Sequence, residues 1–171
     1  ITGDEWREFA NNSRITIKSP YILVYVLGYS FNVYPYMYNL IRHFQKQTGL
    51  RLIILNMNKQ YAHKLYNKTI IDSANVYDFV KLFANASMVI TDSFHGTAFS
   101  LNLNVPFYSV VNNLENEDSR ISDLLRSVNE HSRIVKKETP LSDILISAEV
   151  PNNKELEIVR NRSIKYLSEI L

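Results

Sequence analysis

The chain has 171 residues, of which 46% are hydrophobic and 21% charged, and its formal net charge is +2. This composition is typical of an ordinary globular domain that is large enough to bury a core. Because the chain has no Cys, a disulfide framework, a thiol nucleophile and a Cys-ligated zinc site are excluded. The basic residues are scattered and form no stripe along a phosphate backbone, so we expect no nucleic-acid partner.

The amino-terminal segment predicts a short helix and then a buried strand. Residues 2–5 read T-G-D-E, a capping box that opens a helix. The inner face of this helix is expected to carry Trp6, Phe9 and Ala10. Residues 21–27 form a near-continuous apolar run, typical of a strand buried on both faces of a parallel sheet. The run is far shorter than the ~20 residues that span a bilayer.

A strand–helix–strand unit follows from this first strand. Residues 28–32 are the first strand-to-helix loop, and Pro35 suits the first position of the next helix. The apolar residues of that helix recur at helical spacing: Met37, Leu40, Ile41 and Phe44. Gly49 suits the position just past the helix end, and residues 50–55 predict a second strand.

The middle of the chain predicts a loop, an edge strand and a second clear helix. Residues 56–68 are polar and read mostly as loop, with a helical turn around 62–65 as the alternative, and residues 69–71 suit a short edge strand. A helix is predicted over 75–86, capped by Asn75. Its buried stripe is expected to be Val76, Phe79, Val80 and Phe83.

Residues 87–111 predict a strand, a polar turn, a short helix and another strand, at 88–90, 92–97, 98–103 and 105–111. A further helix is expected around Leu125, capped by Asp118 or Ser119, and a closing helix over 153–171. The apolar face of the closing helix is expected to contain Leu156, Val159, Ile164, Leu167 and Leu171. The alternation of strands and helices predicts an α/β domain with a mostly parallel sheet between helices, and no internal domain boundary.

The polar turn concentrates the chemistry of the chain. Asp92 or Ser93 can cap the helix, and His95 in its first turn can act as an acid or base near neutral pH. Gly96 would let a ligand approach the backbone, and Thr97 adds a hydroxyl. Ligands of parallel sheets bind at the carboxyl ends of strands, where a helix amino end attracts anions. From the residues alone, a packing role for His95 remains an alternative.

The first strand-to-helix loop offers a second group of candidates. Gly28, Tyr29 and Ser30 follow the carboxyl end of the first strand and are expected to line a cleft there, although packing explains them equally well. The sequence has no cluster with metal-ligand spacing, so we expect neither a metal nor a cofactor.

The turn and its flanks resemble a known family. The run T-D-S-F-H-G-T-A-F-S over residues 91–100, with N-V-P-F after it, is similar to the signature of the polysaccharide pyruvyl transferase family. Residues 4–6, 20–25 and 119–121, with the Leu124-Leu125 pair, also resemble residues at similar places in such proteins. The resemblance extends over about residues 5–133.

The resemblance implies a two-domain architecture similar to GT-B glycosyltransferases. Residues 1–171 resemble the carboxyl-terminal, donor-side Rossmann-like half, and the first residue is Ile1, so we expect a fragment without its amino-terminal domain and without turnover alone. The implied reaction moves pyruvate from phosphoenolpyruvate, as a ketal, onto a sugar or lipid-linked oligosaccharide of a bacterial surface or capsular polysaccharide. The implied location is the cytoplasm, with membrane contact through the acceptor.

The resemblance also assigns roles to the turn. His95 matches the motif histidine and is the expected acid or base, while Ser93, Thr97 and the N–H groups near Gly96 are expected to bind the phosphate or carboxylate. Many members have an Arg two residues before the histidine, where this chain has Ser93, so Arg120 is the candidate for the missing cation. A nucleotide-sugar glycosyltransferase domain and a non-catalytic sugar- or anion-binding relative remain alternatives.

Overall fold

The strands form one parallel sheet of six, in the order β3-β2-β1-β4-β5-β6. The structure is a computed structural model, and it describes residues 1–112, 120–146 and 149–170. Every paired strand in the sheet is parallel to its neighbour. This is the strand order of a doubly wound dinucleotide-binding sheet, and it confirms the predicted α/β class. The strands are β1 (Tyr21–Tyr25), β2 (Arg51–Asn56), β3 (Lys68–Ile70), β4 (Met88–Thr91), β5 (Phe107–Val111) and β6 (Ile134–Lys136).

Helices cover both faces of the sheet. The α-helices are α1 (Gly3–Ala10), α2 (Tyr36–Thr48), α3 (Lys59–Ala62), α4 (Val76–Ala84), α5 (Phe94–Asn102), α6 (Arg120–Ser127) and α7 (Asn153–Ile170). Short 3-10 helices lie at His131–Arg133 and Leu141–Asp143. None of the helices within the described ranges is long and apolar enough to cross a bilayer.

Alternate residues of the strands contribute to two separate apolar cores, one on each face of the sheet. In β1, Ile22 and Val24 pack with α2 on one face of the sheet, whereas Leu23 packs on the opposite face with α4 and α5. This period of two is the reason why β1 reads as a continuous apolar run, because both of its faces are buried. The face with α2 and α3 is called the α2 face below, and the opposite one the α4 face.

Local sequence signals set the ends of several helices as predicted. Thr2 and Glu5 form the capping box of α1, and Asn75 caps α4 in a second box with Asp78. Gly49 ends α2 with a left-handed φ of 69°, a conformation that glycine adopts without a steric penalty. Pro35 lies at the N-cap of α2, one residue before its predicted position.

The structure corrects several boundaries and faces. The helix after the motif begins at Phe94 and not at residue 98, and the three-residue strand β6 was not predicted. Val76 is 64% exposed, because α4 packs through its later turns.

In α7, Leu156 and Val159 join the α4-face core, whereas the expected members Ile164 and Leu167 are exposed. The predicted caps Asp118 and Ser119 and the predicted face residue Leu171 lie outside the described residues.

Candidate functional site

A cleft of about 420 Å³ opens where the carboxyl ends of β1 and β4 lie side by side. The chain leaves β1 toward the α2 face and leaves β4 toward the α4 face. Two loops that diverge in this way leave a crevice between them, and parallel sheets bind ligands at such switch points. The polar side chains that line the cleft are Tyr29, Ser30, Asp92, Ser93, His95, Asn112 and Arg120.

The corner between β4 and α5 is fixed by hydrogen bonds to and from side-chain hydroxyls. The Thr91 hydroxyl donates to the carbonyl of Tyr25 at 2.6 Å and accepts the backbone N–H of Ser93 at 3.0 Å. The Ser93 hydroxyl accepts the backbone N–H of Gly96 at 3.4 Å, so Ser93 rather than Asp92 is the helix cap. Because Ser93 is 2% exposed, its side chain reaches the cleft only at its inner wall.

Two of the predicted binding residues lie inside the protein and not in the cleft. A Cβ atom at Gly96 would lie 2.4 Å from the Thr91 hydroxyl, so the absence of a side chain serves packing against β4. Thr97 is fully buried, and its hydroxyl donates to the Ser93 carbonyl at 3.0 Å and lies 2.7 Å from the Ser109 hydroxyl. The expected ligand contacts of Gly96 and Thr97 are therefore replaced by structural contacts.

Asp92 joins the two walls of the cleft. One carboxylate oxygen accepts the backbone N–H of Leu27 at 2.7 Å, and the other accepts that of Gly28 at 2.8 Å. Burial raises the pKa of Asp92, and these two N–H groups oppose the rise. From the sequence, Asp92 was expected only as a candidate cap of the helix. The sequence signal for this role was an acidic residue directly after the buried strand β4. Its position is at the same end of the sheet as the start of the loop after β1.

Phe94 supports the two side chains that can serve acid–base chemistry and anion binding. Its ring meets the His95 ring at 5.9 Å and nearly at right angles. The Arg120 guanidinium carbon lies 5.2 Å from the centre of the same ring, a cation–π distance. His95 and Arg120 are both exposed, and Arg120 has no ion pair within the described ranges. The fold thus brings His95 and Arg120 together as the cleft's basic groups.

The first strand-to-helix loop contributes the opposite wall. Tyr29 and Ser30 line the cleft as predicted, and Tyr29 is 83% exposed. Gly28 has a φ of +64° and donates its N–H to Asp92, and it lies on a neighbouring cleft instead. In the part of the chain that the structure describes, no group of three His, Asp or Glu side chains is placed to hold a metal ion.

The solved structures that resemble this chain include enzymes whose names or bound ligands contain a sugar nucleotide. The UDP-GlcNAc 2-epimerase from Methanocaldococcus jannaschii matches with a TM-score of 0.58 at 16% identity, over 94% of this chain and 50% of that one. The E. coli heptosyltransferase WaaC with ADP-2-deoxy-2-fluoro heptose matches with a TM-score of 0.54 at 14% identity, over 91% of this chain and 47% of that one. The chain thus has the α/β fold of about one half of these GT-B-like enzymes and spans about half the length of these structures. At such identities the likeness shows the fold alone.

Sequence comparison adds the family. No curated protein matches the chain significantly. The family model described as polysaccharide pyruvyl transferase matches residues 4–113, which include β1 through β5 and the motif around His95. The chain therefore belongs to the polysaccharide pyruvyl transferase family.

Proposed function

We propose that this chain is the donor-binding part of an enzyme that transfers pyruvate from phosphoenolpyruvate to a sugar of a bacterial surface or capsular polysaccharide. The proposal rests on one observation, the convergence of His95 and Arg120 on the Phe94 ring in the switch-point cleft. Family membership names the reaction, and this convergence supplies an acid–base group beside a cation.

The cleft offers a binding site for the phosphate and carboxylate of a small dianionic or trianionic donor. Arg120 supplies a positive charge, and within the described residues no acceptor takes the backbone N–H of Phe94 or His95 at the start of α5. Free N–H groups and the helix dipole favour an anion at this position. Ser93 is committed to capping α5, so Arg120 replaces the Arg that many family members have at that point of the motif.

The proposed reaction forms a ketal and releases phosphate. A proton is added to the methylene carbon of phosphoenolpyruvate, and a first sugar hydroxyl bonds to the adjacent carbon while its proton passes to a base. The oxygen of a second hydroxyl then bonds to this carbon as the bond to the phosphate oxygen breaks. The second hydroxyl proton leaves with the phosphate or through the base. His95 is the acid or base of these steps.

The rest of the enzyme enters the proposal as a second domain of the same protein. This chain spans about half the length of the GT-B-like structures that it matches. The other half would carry most of the acceptor site, for a sugar or a lipid-linked oligosaccharide. The enzyme would then act in the cytoplasm and meet the membrane through that acceptor. Neither a metal nor a cofactor takes part in the proposed steps.

A nucleotide-sugar glycosyltransferase is the second candidate, favoured by the fold of the structural neighbours. The E. coli heptosyltransferase was solved with an ADP-sugar analogue, and a Neisseria meningitidis epimerase was solved with UDP-GlcNAc. A binding domain without catalysis is the third candidate.

Calorimetric titration of the chain with phosphoenolpyruvate, UDP-GlcNAc and an ADP-sugar separates these candidates. We expect phosphoenolpyruvate alone to bind. Binding of a nucleotide sugar alone would instead favour the second candidate, and binding of none of the three compounds would favour the third. In the full-length enzyme, His95→Ala is expected to reduce ketal formation by about 10²–10⁴-fold. Activity within a few-fold of the parent would show that His95 is structural.

A further inference from the structure

A second cleft of about 570 Å³ lies beside the first, at the carboxyl ends of β1 and β2. Within the described part of the chain, none of the residues that line it carries a charge. The first cleft, in contrast, contains Asp92, His95 and Arg120. A charged ligand is therefore favoured in the first cleft, and the second cleft suits a neutral, polar ligand.

Three asparagines give the second cleft its hydrogen-bonding groups. The Asn32 and Asn58 side-chain oxygens accept the backbone N–H groups of Tyr34 and Gln60, at 3.1 Å and 3.0 Å. These bonds fix both side chains and leave their NH₂ groups directed to no acceptor among the described residues. The side-chain amide of the exposed Asn56 makes no hydrogen bond to any described residue, whereas its backbone carbonyl accepts the N–H of Val26. The side-chain NH₂ groups of Asn32, Asn56 and Asn58 can thus donate hydrogen bonds to a ligand. The side-chain oxygen of Asn56 can also accept one.

Aromatic side chains supply the apolar part of the same cleft. Tyr34 is stacked on Tyr61 with ring centres 4.4 Å apart and an angle of 7°, and its hydroxyl accepts the backbone N–H of Asn58 at 3.1 Å. The hydroxyl is protonated at neutral pH, and burial raises the pKa of Tyr34 further, to about 12. Phe31 and the exposed Tyr29 add two further rings at the rim. Rings beside amide groups match a ligand with both C–H faces and hydroxyls.

The two clefts are adjacent parts of one surface. Leu27, Tyr29 and Phe31 line both of them. Asp92 holds the loop between them through the backbone N–H groups of Leu27 and Gly28. A ligand in the second cleft would therefore be a direct neighbour of an anion bound near Arg120, as a transfer reaction between two substrates requires.

We propose that the second cleft binds an uncharged sugar ring of the acceptor. A sugar ring presents several hydroxyls to the asparagine amides and Tyr34, and its C–H face can pack on Tyr29 or Phe31. A nucleobase is the less suitable occupant, because Tyr34 and Tyr61 are already stacked on each other and leave no slot between them for a planar ring. The assignment of this sugar to the acceptor rests on the proposed function, whereas the sugar site itself does not.

Nuclear magnetic resonance titrations of the ¹⁵N-labelled chain test the site. The probes are the methyl glycosides of glucose, galactose and mannose, with phosphoenolpyruvate and uridine in separate titrations. At least one glycoside is expected to shift the side-chain amide signals of Asn56 and Asn58, while phosphoenolpyruvate shifts the backbone signals of Phe94 and His95. Shifts from a glycoside without shifts from phosphoenolpyruvate would reject the proposed function and retain the sugar site.

Matched variants complete the test. Asn56→Ala is expected to weaken glycoside binding by about threefold to tenfold, the effect of losing one or two hydrogen bonds. Asn161→Ala, at an exposed position of α7, serves as the control and should leave the affinity unchanged. Both variants should stay folded at the titration temperature, because Asn56 and Asn161 donate no side-chain hydrogen bond within the described ranges. The inference is overturned if no glycoside shifts signals of this cleft, if uridine shifts them instead, or if the two variants bind glycoside equally.

Discussion

The carboxylate of Asp92 accepts the backbone N–H of Leu27 at 2.7 Å, and this bond joins the carboxyl end of β4 to that of β1. Its second oxygen accepts the N–H of Gly28 at 2.8 Å. The two clefts share this loop, so one partly buried side chain sets the separation of the walls around the candidate donor and acceptor sites. Asp92 is therefore a positioning residue.

Asp92→Asn should destabilise the chain by about 1–3 kcal/mol at neutral pH. An asparagine has one side-chain oxygen, so it can satisfy either Leu27 or Gly28 but would direct its NH₂ group at the other N–H. Urea unfolding measures the loss. Asp72→Asn is the control, because Asp72 is exposed and should change stability by less than about 0.5 kcal/mol. Equal effects of the two substitutions would contradict the positioning role.

The stability difference between the parent and Asp92→Asn should depend on pH. Burial raises the pKa of Asp92, so the folded state binds this proton more tightly than the unfolded state does. The stability contributed by this proton is fully present below the unfolded pKa and is lost as the pH rises through the folded pKa. The parent's advantage should therefore be larger near pH ~4 than near pH ~7 in paired urea unfolding curves. An advantage that grows with pH would mean that the N–H bonds outweigh burial.

The buried hydroxyl pair of Thr97 and Ser109 should show strong coupling. Thr97→Val would leave the Ser109 hydroxyl without its partner at 2.7 Å and cost about 1–3 kcal/mol. Adding Ser109→Ala removes the stranded hydroxyl, so the double variant should lose less than the sum of the single losses. A double-mutant cycle of unfolding free energies measures this coupling. Additive losses would show that the two hydroxyls do not depend on each other.

Gly96→Ala should destabilise the corner between β4 and α5 by about 1–3 kcal/mol. The new Cβ would lie 2.4 Å from the Thr91 hydroxyl, which the Tyr25 carbonyl holds in place. Thr91→Ala in the same chain removes that obstacle but also loses two hydrogen bonds, so the double variant should lose less than the sum of the two single losses. Thermal unfolding of the single and double variants provides the measurement. A stable Gly96→Ala single variant would show that the corner relaxes freely.

Arg120→Ala should weaken phosphoenolpyruvate binding by about tenfold, the effect of losing a charge-assisted hydrogen bond. Arg126→Ala is the matched control, because Arg126 is an exposed arginine of the same helix that does not line the cleft. Calorimetric titration gives both affinities, and unfolding temperatures check that Phe94 has kept its packing. Equal affinities for the two variants would place the anion elsewhere.

Local patterns in the sequence were sufficient to predict most elements of the fold. The capping signals of Thr2 and Asn75 and the terminal Gly49 are decided within one turn of helix. The apolar run of β1 reflects the burial of both of its faces, which requires a sheet that is covered by helices on each side. These signals predicted the α/β class, and the motif around His95 resembled the family that the comparison later matched.

Tertiary structure alone decided which residues of the motif face a ligand. Gly96 and Thr97 look like binding residues in sequence, yet Thr91 and Ser109 on neighbouring strands hold them inside. In sequence, Asp92 resembles a helix cap. In the folded sheet, β1 lies beside β4, and the two residues Leu27 and Gly28 after β1 donate their backbone N–H groups to Asp92. A side chain's nearest neighbours in sequence determine caps and turns, whereas its partners across the sheet come from segments far away in the chain. Only the folded sheet brings those segments within hydrogen-bonding distance.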